Sequence, residues 1–159
     1  MDQLIPIVGT TALLGSALVG GIFFAFSSFI MKALARVPTA EGIGAMQSIN
    51  VVVLNPSFLG AFIGTAVLSL GAGGLALAGW GRPSASFFLG GALFYLVGTF
   101  GVTAFGNIPL NNRLAAVSAT DPGARDVWEH YLGRWTRWNH VRMVAAMAAA
   151  LLYSLGLMQ

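Results

Sequence analysis

Apolar residues run almost unbroken through four stretches of the chain, residues 4–31, 57–79, 84–106 and 139–158. Each reaches the roughly 20 residues a helix needs to cross the hydrocarbon core of a bilayer. In the first, Ser16, Gly20, Phe24 and Ser28 are spaced by four, as are Gly9 and Leu13, which predicts a face of small residues for close helix packing. The alternative for this segment is an aromatic ligand pocket lined by Phe23, Phe24, Phe26 and Phe29 with Ser27 and Ser28. From Ala40 to Leu54 the pattern changes to an amphipathic one, with Ile43, Met46, Ile49 and Val53 at steps of three and four. Pro38 stops the helix before it and Thr39 is placed to cap the new one. This segment, about 40–54, reads as an interfacial helix or an extension of the second span, and Asn55-Pro56 as a break in which Asn55 supplies a cap. Residues 57–79 carry no evident chemistry, and residues 107–138 read as a cytoplasmic loop and helical lead-in to the last span. The expected fold is all-α: one domain, residues 1–159, forming an integral membrane four-helix bundle with a cytoplasmic or interfacial helical extension.

Composition agrees. Of 159 residues, 57% are hydrophobic and only 8% charged, with mean hydropathy +0.79; a soluble domain carries about 25% charged residues. The first segment has no basic leader, its leading charge is Asp2, and its apolar run exceeds that of a signal peptide, so it reads as a retained helix. Charge then gives an orientation. Lys32, Arg36, Arg113, Arg125, Arg134, Arg137 and Arg142 fall on one side of the spans and Arg82 alone on the other. The positive-inside rule places both long connections in the cytoplasm and both termini outside a bacterial-type inner (plasma) membrane. The net charge of +3 therefore speaks of orientation, not of nucleic acid. The expected partner is the lipid bilayer, and a homo-oligomer is left open.

Candidate chemistry gathers in Trp128 to Arg142, WEHYLGRWTRWNHVR, which holds three of the four Trp and both His. At about 100° per residue, Trp128, Tyr131, Trp135, Asn139 and Arg142 share one sector of a helix, while Glu129, His130, Arg137 and His140 point elsewhere. All six Asn (Asn50, Asn55, Asn107, Asn111, Asn112 and Asn139) and Gln47 lie near the expected cytoplasmic helix ends. Thr99, Thr103 and Asn107 are spaced by four, and Asn111 continues the row if the helix survives Pro109. If these ends meet, they form a pocket walled by Tyr131, Trp135 and Trp138, with amides and one cation inside it, which is how small-molecule sites are built. An Arg at membrane depth marks a candidate site. The opposing reading makes Trp and Arg plain interfacial anchors.

Other chemistries find less support. The absence of Cys removes thiolate ligands and thiol nucleophiles. His130 and His140, ten residues apart on one helix, sit about 15 Å apart and cannot share a metal. No carboxylate pair, nucleotide-binding Gly loop or nucleophile elbow is present. No metal site is assigned, although haem or a metal held with help from another helix stays open.

Asn107-x-Pro109-x-Asn111-Asn112, followed by Trp135-x-x-Trp138-Asn139-x-x-Arg142, resembles the anthrone oxygenase-like family of small four-helix membrane proteins. Met46-Gln47-x-Ile49-Asn50 with Asn55-Pro56 is similar too, so the resemblance spans essentially the whole chain. Bacterial members are mostly of unknown function. The resemblance implies an activity seen in some fungal members, oxidation of an anthrone to an anthraquinone by dioxygen without a recognised organic cofactor or metal. On that view Arg142, Asn107, Asn111 and Asn139 stabilise an oxyanion and His140 serves as base. Trp135, Trp138 and Tyr131, with Asn50, Asn55 and Gln47, bind an anthrone- or quinol-like substrate. The expected function is thus a membrane-embedded monooxygenase with dioxygen as co-substrate. The alternatives are a non-catalytic binding or transport protein for a hydrophobic small molecule, and a haem- or metal-bearing membrane protein.

Overall fold

A computed structural model describes residues 4–159; Asp2 lies outside the described residues. The helices are α1 (Leu4–Leu34), α2 (Thr39–Val52), α3 (Pro56–Ala78), α4 (Ala85–Ala115) and α5 (Ala124–Leu157). All but α2 are long and apolar enough to cross a membrane. They pack as an up-and-down bundle whose first and last described turns meet at one end, where Gly9 lies beside Leu157. The short α2 closes the opposite end.

Small residues line the inside: Gly9, Ala12, Ser16 and Gly20 on α1, Ala66, Ser69, Ala72 and Ala76 on α3, Ala145, Ala146 and Ala149 on α5. Large ones such as Leu14, Leu18, Val67, Leu70, Val97, Val144 and Leu151 point outward. In water such a shell would be a large apolar patch. In lipid it is the normal arrangement, because backbones approach through small residues and large side chains meet acyl tails. The chain is a multi-pass membrane protein.

Several local features differ from expectation. Thr39 is the first residue of α2 rather than its cap; Pro38 holds the cap position and no side chain closes it. The row Ser16-Gly20-Phe24-Ser28 does not stay in the contact. An α-helix over-rotates a step of four by about 40°, so Ser16 and Gly20 are buried but Phe24 is exposed and Phe23 and Ser27 replace it inside. Most of residues 107–138 is helix, with only 116–123 left between α4 and α5. The helix continues past Pro109, the second residue of the α-helical segment Ile108–Ala115, which follows directly on the π-wound turn Thr103–Asn107.

Three stretches are wound as π-helix: Phe26–Ile30 in α1, and Phe94–Gly101 and Thr103–Asn107 in α4. A π-turn holds more than four residues, so it under-rotates a step of four where an α-turn over-rotates it. The mixture keeps Thr99, Thr103, Asn107 and Asn111 along one side of α4. Two apolar clusters result. One fills the spans around Phe23, Phe62, Tyr95 and Tyr153. The other joins α2 to the adjoining helix ends through Ile43, Met46, Leu114, Trp128, Tyr131 and Trp135. Gly42 lets α2 approach this closely, since a Cβ there would lie 2.9 Å from both the Leu34 carbonyl and the Trp128 ring.

Candidate functional site

Trp128, Tyr131, Trp135, Asn139 and Arg142 form one buried face of α5, as their 3-4-4-3 spacing requires. Arg142 is only 6% exposed. Its Nε donates to Asn139 Oδ1 at 2.9 Å and its Nη1 to Thr103 Oγ1 at 3.4 Å. The guanidinium carbon lies 3.9 Å from the centroid of Phe23 and 4.8 Å from that of Trp135, a cation held between two aromatic rings. A guanidinium carries five N–H donors, so three are left without a partner among the described residues. No carboxylate faces it: among the described residues the ion pair is the exposed Arg125–Glu129.

Asn139 fixes this arrangement. Its Nδ2 donates to the Phe23 carbonyl at 2.8 Å and to Ser27 Oγ at 2.7 Å, so both amide hydrogens are spent on α1. The oxygen must then face Arg142. On α4, Asn111 Oδ1 accepts from the Tyr131 hydroxyl at 2.9 Å and from Trp135 Nε1 at 2.8 Å. Asn107 is fully buried and donates to the Trp135 carbonyl at 3.2 Å, while its own Oδ1 has no partner. Thr99 donates to the Arg142 carbonyl at 3.2 Å.

Beside this network lies a cleft of about 160 Å³ at the seam of the two apolar clusters. Phe23, Phe26, Phe58, Phe62 and Trp135 supply its aromatic surface, and Arg142, Asn111, Asn50 and Thr103 its polar groups. Two lining residues are exposed, Leu54 and Ile108, so the mouth is apolar.

Not every expected residue is there. Asn107 and Asn139 stand behind the lining and hold Trp135 and Arg142. Tyr131 belongs to the cluster that holds α2, stacked between Trp128 and Trp135, and does not line the cleft; it touches the lining residues Trp135 and Asn111 from behind. Gln47 donates to the Leu114 and Val117 carbonyls at 2.9 and 3.0 Å; it ties α2 to the end of α4 and does not line the cleft. Asn55 is exposed and caps α3, accepting from Phe58 N at 3.0 Å and donating to the Val52 carbonyl at 2.9 Å. Asn112 is exposed. Trp138 is exposed too: its ring lies over Gly106, in a lipid-facing groove with Phe105. His140 is exposed, on a side groove with Lys32, because it stands one residue off the buried stripe. Among the described residues no three His, Asp or Glu side chains cluster. Conversely, Phe58 and Phe62 were missed, in the span read as without chemistry. Their signal is a four-residue spacing just after Asn55-Pro56, at the depth of the other polar helix ends.

The Asn111 bonds predict a structural cost. Asn111→Ala would strand two buried donors, at roughly 1–3 kcal/mol each. A drop in apparent melting temperature in detergent is expected, with partial recovery in Asn111→Asp, which keeps the acceptor. An unchanged melt in Asn111→Ala would show that neither bond matters.

The family profile described as anthrone oxygenase matches residues 56–152, from the first turn of α3 to near the end of α5. No curated protein and no solved structure matches the chain. The matched region takes in Asn107, Asn111, Trp135, Asn139 and Arg142, while Phe23 and Asn50 of the same site lie before it. With more than half of its length matched, and Thr103, Asn111 and Arg142 of the cleft inside that match, the chain belongs to the anthrone oxygenase family.

Proposed function

We propose that the cleft binds a flat aromatic ketone or phenol of the anthrone or quinol type and promotes its oxidation by dioxygen, with no organic cofactor or metal of the protein's own. The observation that carries this reading is Arg142: a buried cation between Phe23 and Trp135, with spare N–H donors and no carboxylate. Burying an unpaired charge costs several kcal/mol, and a ligand oxyanion would offset that cost.

An anthrone loses a proton from its methylene to give an aromatic, phenolate-like anion. Arg142, helped by Asn111 and Asn50, favours that anion by hydrogen bonds to its oxygen. The aromatic walls hold the rings. The anion passes an electron to dioxygen, the two radicals combine at the former methylene carbon, and loss of water leaves the second carbonyl. One dioxygen is consumed and one water released for each CH₂ converted to C=O. No lining residue is His, Asp or Glu, so the proton leaves to water, and His140 is not the base. The apolar mouth at Leu54 and Ile108 adjoins Val51 and Val52, exposed by 72% and 66%, which suits a substrate arriving from the bilayer. In the orientation inferred from basic residues, this end of the bundle faces the cytoplasm.

The test is oxygen uptake by the purified protein with an anthrone, followed together with quinone absorbance. One dioxygen per quinone, well above the uncatalysed rate, is expected. Anthrone retained without oxygen uptake would replace the enzyme with a binding or transport protein. His140→Ala should leave turnover within about twofold, the usual reach of a surface change of about 0.5 kcal/mol; a collapse of rate would restore it as the base.

A further inference from the structure

A second concavity lies on the outside of the bundle, between the cytoplasm-facing end of α1 and the middle of α5. Lys32, Arg137 and His140 line it, with the hydroxyls of Ser27 and Thr136 and an apolar flank at Ala35 and Leu132. Among the described residues no Asp or Glu lines it. Lys32 and Arg137 come from different helices, and Arg137 is steered along α5 by its Nε bond to the Gly133 carbonyl at 3.2 Å. Gly133 leaves the wall low between them. The nearest acid along α5, Glu129, is engaged by Arg125 at 2.9 Å. Basic side chains, hydroxyls and an apolar flank at the end of membrane spans form a surface for a phosphate that carries acyl chains.

We infer that this groove binds the phosphate of an anionic membrane lipid, with Lys32 and Arg137 as its charged contacts, Thr136 and His140 as further donors, and Ala35 and Leu132 against the acyl chains. The groove and the cleft have no lining residue in common, but one chain of hydrogen bonds links them. Ser27 lines the groove and also accepts from Asn139, which holds Arg142. A lipid seated there would brace the α1–α5 contact behind the site. Each basic side chain near a bilayer surface contributes about 1 kcal/mol toward an anionic lipid, roughly a fivefold preference.

Native mass spectrometry of the full chain released from nanodiscs of mixed phosphatidylcholine and phosphatidylglycerol tests this. The wild type should retain one phosphatidylglycerol in preference to phosphatidylcholine, by tenfold or more. Lys32→Gln with Arg137→Gln should bring the ratio close to that of the surrounding membrane, while Arg113→Gln, a basic residue at the same end but outside the groove, should leave it unchanged. Equal retention of both lipids by the wild type would overturn the proposal. So would a loss in Arg113→Gln as large as in the double variant, because the preference would then belong to diffuse surface charge. Displacement of the lipid by inorganic phosphate alone would show a site for free phosphate instead.

Discussion

Arg142→Met is expected to lower anthrone-dependent oxygen uptake by at least about 100-fold, the scale on which a lost oxyanion donor is felt, without lowering thermal stability. The two halves of this result belong together. Arg142 is almost fully buried, unpaired with any acid, and bonded only to neutral groups, Asn139 and Thr103. Replacing a buried charge by an apolar side chain of similar volume is often neutral or stabilising, and Met between the Phe23 and Trp135 rings keeps their packing. Loss of two polar bonds works the other way, so the balance falls near zero. A residue present for folding alone would behave otherwise: its removal would cost stability, and activity would fall only as far as folding did. Arg142→Lys is expected to recover little, because an ammonium is a point charge without the planar fork that serves Asn139, Thr103 and a ligand at once. Turnover in Arg142→Met within tenfold of wild type, measured at matched folded fraction, would remove the oxyanion role. A sharp fall in melting temperature would make Arg142 a packing residue.

The bundle was legible in the sequence because bilayer thickness imposes a length on each span, and because α5 repeats its polar stripe with a helical period. The same period placed Asn139 and Arg142 inside and His140 outside. What could not be read was which amides serve the backbone. Asn55 and Gln47 look like Asn50 in composition and depth. One caps α3, the other ties α2 to α4, and only the third lines the cleft. That choice depends on where carbonyl groups of other helices fall, a tertiary fact. The four-step row on α4 was visible, but the winding that keeps it aligned was not: local sequence announces π-turns poorly, and here they cluster beside the cleft, as such turns often do at functional sites. Phe58 and Phe62 escaped notice because a Phe in an apolar span looks the same whether it faces lipid or a ligand.

Asn139→Asp should abolish anthrone-dependent oxygen uptake nearly as fully as removing Arg142, although the guanidinium stays in place. Asn139 Oδ1 already sits 2.9 Å from Arg142 Nε. A carboxylate there would pair with the cation inside the protein, and in a low-dielectric interior such a pair at hydrogen-bond distance is strong. The charge that an anionic ligand would neutralise is then already neutralised, so the ligand's anion loses its advantage over the neutral form. The substitution also gives up the two amide hydrogens that reach the Phe23 carbonyl and Ser27 Oγ. Asn139→Ala gives them up too, at a similar structural cost of about 1–3 kcal/mol, but leaves Arg142 unpaired. Comparing these two variants therefore isolates the charge. Tested with an anthrone at equal folded fraction, the expected order is wild type, then Asn139→Ala, then Asn139→Asp close to Arg142→Met, and affinity for a non-oxidisable phenolate should follow the same order. If Asn139→Asp turned over as fast as Asn139→Ala, Arg142 would act through its position in the packing, and the free charge of the guanidinium would have no part in the chemistry.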